Sequence, residues 1–293
     1  MPHLKKEITI FCFGFGQSAR YFIKRLIDQK IKFKLLTTNT SETKRKKIFK
    51  KSYLSLKFKG TNYDKKIKKF ITRSDYILVS IPPINKMDLV LRNFKNDLIR
   101  SQFLNLIYLS STSVYGDHEG NWVNEKSKLK PKTYLGTGRF KAENEWRNIQ
   151  KKNNLPINIL RLSGIYSKKN NIIKRFKKGF KNVIIKKNHL FSRIRVEDVA
   201  QSIQLLFSKK KIMGEIFNVS DNKPASSFEI ASYVKKKNNL KNINFIEYKN
   251  LKNGMLKDFY KESKKVDNKK IKKILKLKLK YPSYKEGLKN LRN

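Results

Sequence analysis

The stretch Ile8-Thr-Ile-Phe-Cys-Phe-Gly14-Phe-Gly16-Gln-Ser-Ala19 constrains the fold of this chain more than any other. Its apolar start reads as a buried strand. Two glycines then allow a tight turn. Ala19, Phe22, Ile23, Leu26 and Ile27 follow at helical spacing and fall on one face. Strand, Gly-x-Gly-x-x-Ala and helix in this order form a phosphate-binding turn. Gly14 permits the turn, and Gly16 lets the backbone approach a pyrophosphate. Ala19 lets the helix pack closely on the sheet. The unpaired N–H groups and the dipole of the helix start then hold anionic oxygens. A dinucleotide cofactor is the expectation. An ordinary strand-to-helix turn that uses glycine for geometry alone is the plainer alternative.

The rest of the first half alternates in the same way. Lys32–Thr37, Ser52–Leu56, Asp75–Ile81, Leu104–Leu109 and Ile157–Leu162 read as strands. Pro82-Pro83 stops the third of these, an apolar run with the look of a strand buried on both faces. Helices are expected over Met87–Leu98 and from Thr137 to about Lys151. Strands separated by helices argue for a parallel sheet with right-handed crossovers. The expected class is α/β, a Rossmann-type doubly wound sheet with a small C-terminal substrate lobe. Residues 1–164, completed by parts of 190–220, form the nucleotide-binding domain, and 165–293 form the mixed substrate side. In that second part Val196, Val199, Ala200, Ile203 and Phe207 mark a helix. Glu215–Val219 and Asn242–Glu247 mark strands, and Phe228–Val234 another helix. The lysine-rich segment Lys264–Lys276 reads as the wet face of a helix.

The net charge of +48 admits two readings. One is a polyanionic partner, since lysines near phosphates release counterions. The other is a solvated, lysine-biased surface. Lysine is spread along the whole chain and outnumbers arginine, the residue suited to bidentate recognition. The second reading is adopted, so no specific nucleic-acid partner is expected. No apolar run is long enough to span a bilayer, so no membrane partner is expected. The first residues lack the apolar core of a secretory signal, and the only cysteine is Cys12. An intrachain disulfide is impossible, and a cytoplasmic location is the expectation. His3, His118 and His189 lack metal-ligand spacing, so no metal is expected.

Several segments together resemble the extended short-chain dehydrogenases/reductases, the NAD(P)-dependent epimerase/dehydratase group. Leu109-Ser-Ser111-Thr-Ser-Val-Tyr115-Gly116 is similar to that family's fifth-strand motif. Leu160-Arg161-Leu-Ser-Gly164-Ile-Tyr166 resembles its Arg-Pro-x-x-x-Tyr segment. Ser192-Arg-Ile-Arg-Val196-Glu-Asp198-Val-Ala200 resembles its Arg-x-x-x-Val-x-Asp-x-Ala segment, and Gly214-Glu-Ile-Phe-Asn218-Val its Phe-Asn-Val strand. The motifs run in the family's order over nearly the whole chain. The resemblance implies a small-molecule substrate and a homodimer. It also implies that Gly14, Phe15, Gly16, Gln17, Ser18, Thr38, Asn39, Ser80, Ile81, Pro82, Leu109 and Ser163 contact the cofactor. Arg193 and Arg195 fall in the segment that lines the family's substrate cleft, where relatives often take nucleotide sugars. Cations there suit an anionic substrate.

The family works with a serine or threonine, a tyrosine and a lysine. The serine position maps onto Ser111. The lysine position, judged from Arg139-Phe-Lys-Ala-Glu143, holds Arg139. Four residues earlier stands Leu135, which cannot exchange a proton, and Tyr134 is one position off. Such chains look like an atypical branch that keeps the cofactor fold. Three readings stay open. Tyr134 moves into the role, Tyr115 or Tyr166 serves as acid/base, or the usual chemistry is lost. The function expected first is an NAD(P)-dependent oxidoreductase or epimerase/dehydratase-like enzyme. The alternative is a non-catalytic NAD(P)-binding sensor or scaffold. After the second strand Thr37-Thr38-Asn39-Thr40 carries no acid for the ribose hydroxyls, and Lys44-Arg45-Lys46-Lys47 follows. That favours NADP over NAD.

Overall fold

The computed structural model describes residues 7–209, 211–239, 243–252, 254–289 and 291. His3 and Asn242 lie outside them. In chain order the elements begin with β1 (Ile8–Phe13), α1 (Gln17–Asp28), β2 (Phe33–Asn39), β3 (Lys44–Ile48), β4 (Lys51–Lys59) and β5 (Asn62–Tyr63). Then come α2 (Lys66–Thr72), β6 (Tyr76–Val79), α3 (Leu89–Ile99), β7 (Asn105–Ser111), a 3₁₀ turn at Thr112–Tyr115, β8 (Trp122–Val123) and α4 (Tyr134–Asn153). Next are β9 (Ile157–Leu162), β10 (Gly164–Tyr166), α5 (Ile172–Lys177), β11 (Asn182–Ile185), β12 (Arg193–Arg195) and α6 (Val196–Phe207). The remainder is β13 (Ile216–Val219), α7 (Ser227–Lys237), β14 (Asn244–Glu247), α8 (Met255–Phe259), β15 (Lys265–Val266), α9 (Lys269–Leu275) and α10 (Tyr284–Lys289).

The main sheet runs in the order β13-β9-β7-β6-β1-β2-β4-β3, with β5 beside β4. The pairs β1–β2, β1–β6, β2–β4 and β6–β7 are parallel. This is the largely parallel, Rossmann-type sheet that the strand pattern predicts. Strands β1 and β6 are apolar almost throughout because helices cover both their faces. Phe11, Phe13, Phe58, Phe94 and Trp146 lie in one buried cluster. The helix after residue 88 starts where Asp88 caps it, accepting the N–H groups of Val90 and Leu91.

One element has no counterpart in the sequence reading, and one expectation needs correction. Between the second and third parallel strands, β3 forms an antiparallel hairpin with β4 at the sheet edge. Its turn residues Phe49 and Lys50 both have positive φ, which is the geometry of a tight hairpin without the usual Asn-Gly. The segment Lys264–Lys276 is not one wet helix. It opens with β15 paired to β8, and α9 follows. Lys264 is buried and its ammonium donates to Gly116 O and Glu262.

The chain forms two compact units. The first is Met1–Ser110, Gly138–Arg161 and Val199–Ile216. The second is Ser111–Thr137, Leu162–Asp198 and Phe217–Asn293. The second unit holds its own apolar cluster around Tyr166, Phe176, Ile230, Val234 and Tyr284. It also holds three two-stranded sheets, β10–β12, β11–β14 and β15–β8. No helix among the described residues is long and apolar enough to cross a membrane. None of their His, Cys, Asp and Glu side chains group to hold a metal ion.

Candidate functional site

In the first unit the glycine turn has the geometry its sequence implies. Gly14 has φ +81, and a Cβ there would sit 2.9 Å from Ile81 Cγ1 and Ser80 Oγ. Its N–H donates to Thr38 Oγ1 at 2.8 Å, tying the tip of β2 to the turn. A Cβ on Gly16 would meet nothing within 4 Å, so the backbone there is open to a ligand. Gly16 caps α1 without any side-chain hydrogen bond, and the first turn carries no acid. The N–H groups of that turn are therefore not taken by a capping side chain. Ser18 is buried, and Gln17 is half-buried. Ser80 donates its hydroxyl to the carbonyls of Phe13 and Gly14, which fixes the loop carrying Ile81 and Pro82.

A cavity of about 360 Å³ opens beside this turn. Gly14, Phe15, Thr38, Asn39 and Ile81 line it, all expected cofactor contacts. Its further walls, missed in the sequence, include Arg20, Tyr53 and Lys59. Lys46 completes the set. In the hairpin strand β3, side chains alternate, so Lys46 and Ile48 turn inward while Arg45 and Lys47 stay exposed. Of the described lining residues three are cations and none is a carboxylate. Asn39 builds the hairpin: its amide donates to Glu42 O and Ser55 Oγ, and its oxygen accepts from Ser41 N–H. The rings of Phe15 and Tyr53 lie 5.2 Å apart, and Arg20 sits 5.3 Å above Phe15. An uncapped helix start, an open glycine and a cation-lined cavity without acids among its described lining residues fit the phosphates of a dinucleotide.

Helix α4 begins at Tyr134, earlier than its sequence pattern suggests. Tyr134, Leu135 and Arg139 therefore share one helix, with Leu135 one turn before Arg139. Tyr134 and Leu135 are both exposed. Arg139 donates to Leu109 O at 2.7 Å and reaches Tyr108 Oη at 3.4 Å. One turn further on, Glu143 meets Arg161 as a fully buried ion pair, and Ser110 donates to the same carboxylate at 2.9 Å. The conspicuous Ser110 and Arg161 of the motifs thus anchor α4 to the sheet.

The second unit places the other predicted residues. Ser111 accepts from Ser113 N–H and starts the 3₁₀ turn. Tyr115 is fully buried, and its hydroxyl donates to Asn218 Oδ1 at 2.7 Å. Tyr166 is buried with its hydroxyl unpartnered, and burial pushes that hydroxyl's pKa up. Ser163 is also buried, and its hydroxyl has no partner. Arg195 spends its guanidinium inside the fold, on Glu197 and on Gly287 O. Asp198, a motif residue, accepts the N–H groups of Lys280 and Tyr281 and so ties down the C-terminal segment. Arg193 donates to the carbonyls of Phe191 and Ala225 and lies 3.3 Å from the centre of the Phe191 ring. Burial pulls its pKa down to about 9, partly offset by Asp221, which leaves it charged at neutral pH.

Residues 95–220 match the profile of the NAD dependent epimerase/dehydratase family. A protein of unknown function from Silicibacter pomeroyi DSS is similar in structure, with 29% identity and a TM-score of 0.84. The alignment covers 97% of this chain and 98% of that one. The dTDP-glucose 4,6-dehydratase of Bacillus anthracis str. Ames, solved with NAD, has 15% identity and a TM-score of 0.78, over 97% and 95% of the chains. The UDP-glucuronic acid 4-epimerase of Bacillus cereus, also with NAD, has 16% identity and a TM-score of 0.76, over 97% and 94%. No curated protein sequence matches. The resemblance read from the motifs is borne out over residues 95–220, and the chain shares the fold of these dehydratase and epimerase structures. Leu135 and Arg139 stand where the motif calls for tyrosine and lysine.

Proposed function

We propose that this chain is an NADP-dependent oxidoreductase of the epimerase/dehydratase type. In this reading it acts on a small anionic substrate that carries an alcohol or carbonyl, and its proton-transfer machinery is altered. The observation that carries the proposal is the cavity at the glycine turn, with Arg20, Lys46 and Lys59 in its wall and no carboxylate among the described lining residues. The N–H groups at the start of α1 hold the pyrophosphate. Arg20 and Lys46 hold the 2′-phosphate, where an NAD enzyme would place an acid for the ribose hydroxyls. Bound NADP supplies a hydride acceptor or donor at its nicotinamide.

The chain's own groups divide the remaining work. Ser111 accepts from Ser113 N–H and keeps its own O–H to donate to a reacting oxygen. Arg139 grips ribose or phosphate through its guanidinium N–H groups and does not stand in as the proton carrier. The Tyr115 hydroxyl is already committed to Asn218. Tyr134, exposed on the first turn of α4, is the better candidate to carry the proton. Arg193 is the better substrate cation, since Arg195 is committed to Glu197 and Gly287. One observation favours the alternative of a non-catalytic cofactor sensor: Leu135, not a titratable group, stands one turn before Arg139.

Deuterium transfer separates the two. NADPH carrying deuterium at nicotinamide C4 is incubated with a series of keto acids, and NADP with UDP-glucose and dTDP-glucose deuterated at sugar C4, and label in the hydroxy acid or in the NADPH formed is read by mass spectrometry. The expected result is label in at least one product, cut by about a hundredfold in Tyr134→Phe. Tight NADPH binding with no label in any product would overturn the enzyme reading in favour of the sensor.

A further inference from the structure

The second unit holds a cavity of about 840 Å³ bounded by α5, β11, β12, α7, β14, α8 and α10. Its wall is dominated by aliphatic and aromatic side chains. Phe180, Leu256 and Phe259 line it and still remain 62%, 54% and 47% exposed. These large apolar groups thus line the cavity while staying open to solvent, as a ligand-facing surface does.

Most of the polar groups in the wall are already used. Asn171 caps α5 and donates to Ser167 O and Lys168 O. Asn244 donates to Asn182, and Ser227 pairs with Tyr260. A sugar buried here would leave several hydroxyls unpaired, which opposes its binding. The charges point one way. Arg175, Lys181 and Arg193 line the cavity, and none of its described lining residues is a carboxylate. Arg193 is held flat on the Phe191 ring by its two carbonyl partners. Tyr166 belongs to the same wall, with its hydroxyl buried against Gly287 of α10.

We infer that this cavity binds an apolar-bodied anion, an acyl or aryl chain bearing a single carboxylate or phosphate, rather than a nucleotide sugar. The inference deepens the anionic-substrate reading above and rests on it only for the ligand's role as substrate. The apolar body fills the aromatic wall, and the head group meets Arg193, with Lys181 and Arg175 nearer the surface.

Calorimetric titration of the full chain without cofactor, at physiological salt, tests this with decanoate, butyrate and UDP-glucose. One decanoate per chain is expected, with butyrate about a hundredfold weaker or more because it lacks most of the apolar body. Ile246→Trp, which narrows the cavity, is expected to weaken decanoate at least tenfold and leave NADPH affinity unchanged. Arg193→Met is expected to weaken decanoate at least tenfold and leave decanol unaffected. Butyrate binding as tightly as decanoate would mean charge alone and overturn the inference. So would several decanoates per chain that ignore Ile246→Trp, or displacement of decanoate by equimolar UDP-glucose. If Arg193→Met does not fold, Ile246→Trp decides alone. Absence of decanoate binding beside tight NADPH binding would sink this inference and spare the proposed cofactor function.

Discussion

Replacing Glu143 with glutamine removes the counter-charge of Arg161 and keeps the side chain's size. The two side chains are 0% and 1% exposed. Arg161 Nε lies 3.1 and 3.2 Å from the two carboxylate oxygens, and Ser110 Oγ donates to one of them. Glutamine leaves a buried guanidinium facing an amide, half of which repels it. Breaking such a pair costs about 3–5 kcal/mol, because the remaining charge is dehydrated and uncompensated. That is a large share of the roughly 5–15 kcal/mol that holds a domain folded. Urea unfolding followed by circular dichroism reads the loss. The double variant Glu143→Leu/Arg161→Met, which leaves no charge, is expected to recover most of it. Arg139 lies one turn before Glu143 on α4, so NADPH affinity should fall with the single variant as well. A loss below about 1 kcal/mol for Glu143→Gln, or a double variant worse than either single, would refute the reasoning.

Gly14→Ala puts a Cβ 2.9 Å from Ile81 and Ser80 at a positive φ. It should cost about 1–3 kcal/mol and weaken NADPH binding, and thermal unfolding with a cofactor titration checks both. Burial pushes the Asp221 carboxyl up to about 7, against the opposing pull of the Lys223 N–H and Arg193. The folded state therefore holds this proton more tightly than the unfolded one, and its stabilising effect is lost as pH rises from about 4 through 7. Asp221→Asn should flatten the stability change between pH 5 and pH 8 by about 2–4 kcal/mol, seen as urea midpoints at each pH. Burial also pushes the Cys12 thiol pKa up. Cys12 should be inert to a thiol-reactive dye in the folded protein and react with one equivalent in urea.

The parallel sheet was legible because its strands are buried on both faces, so β1, β6, β7 and β9 read as apolar runs with glycine or proline nearby. The turn at Gly14 was legible for the same reason: one residue type alone fits there. The hairpin of β3 was not, because Phe49 and Lys50 adopt positive φ without an Asn-Gly signal. Lysines at alternate positions of a strand also look like any charged run, and only the pairing with β4 turns Lys46 toward the cavity. Tyr53 was missed because it meets the glycine turn only through the fold, whereas Arg20 lies beside that turn and bonds to Phe15 O, and no motif position marks it. The motif residues Arg161, Asp198 and Asn218 were legible as members of a pattern. Their work as buried anchors was not, since it depends on partners far along the chain.

The most direct test of the central claim is a pair of fluorescence titrations of the intact chain with NADPH and NADH, repeated with Lys46→Ala. The account predicts NADPH binding at least tenfold tighter than NADH in the parent. It also predicts that Lys46→Ala weakens NADPH about tenfold and leaves NADH unchanged, since in the proposed reading Lys46, in the cavity wall, meets the extra phosphate that only NADPH carries. NADH binding equally or more tightly in the parent would contradict it.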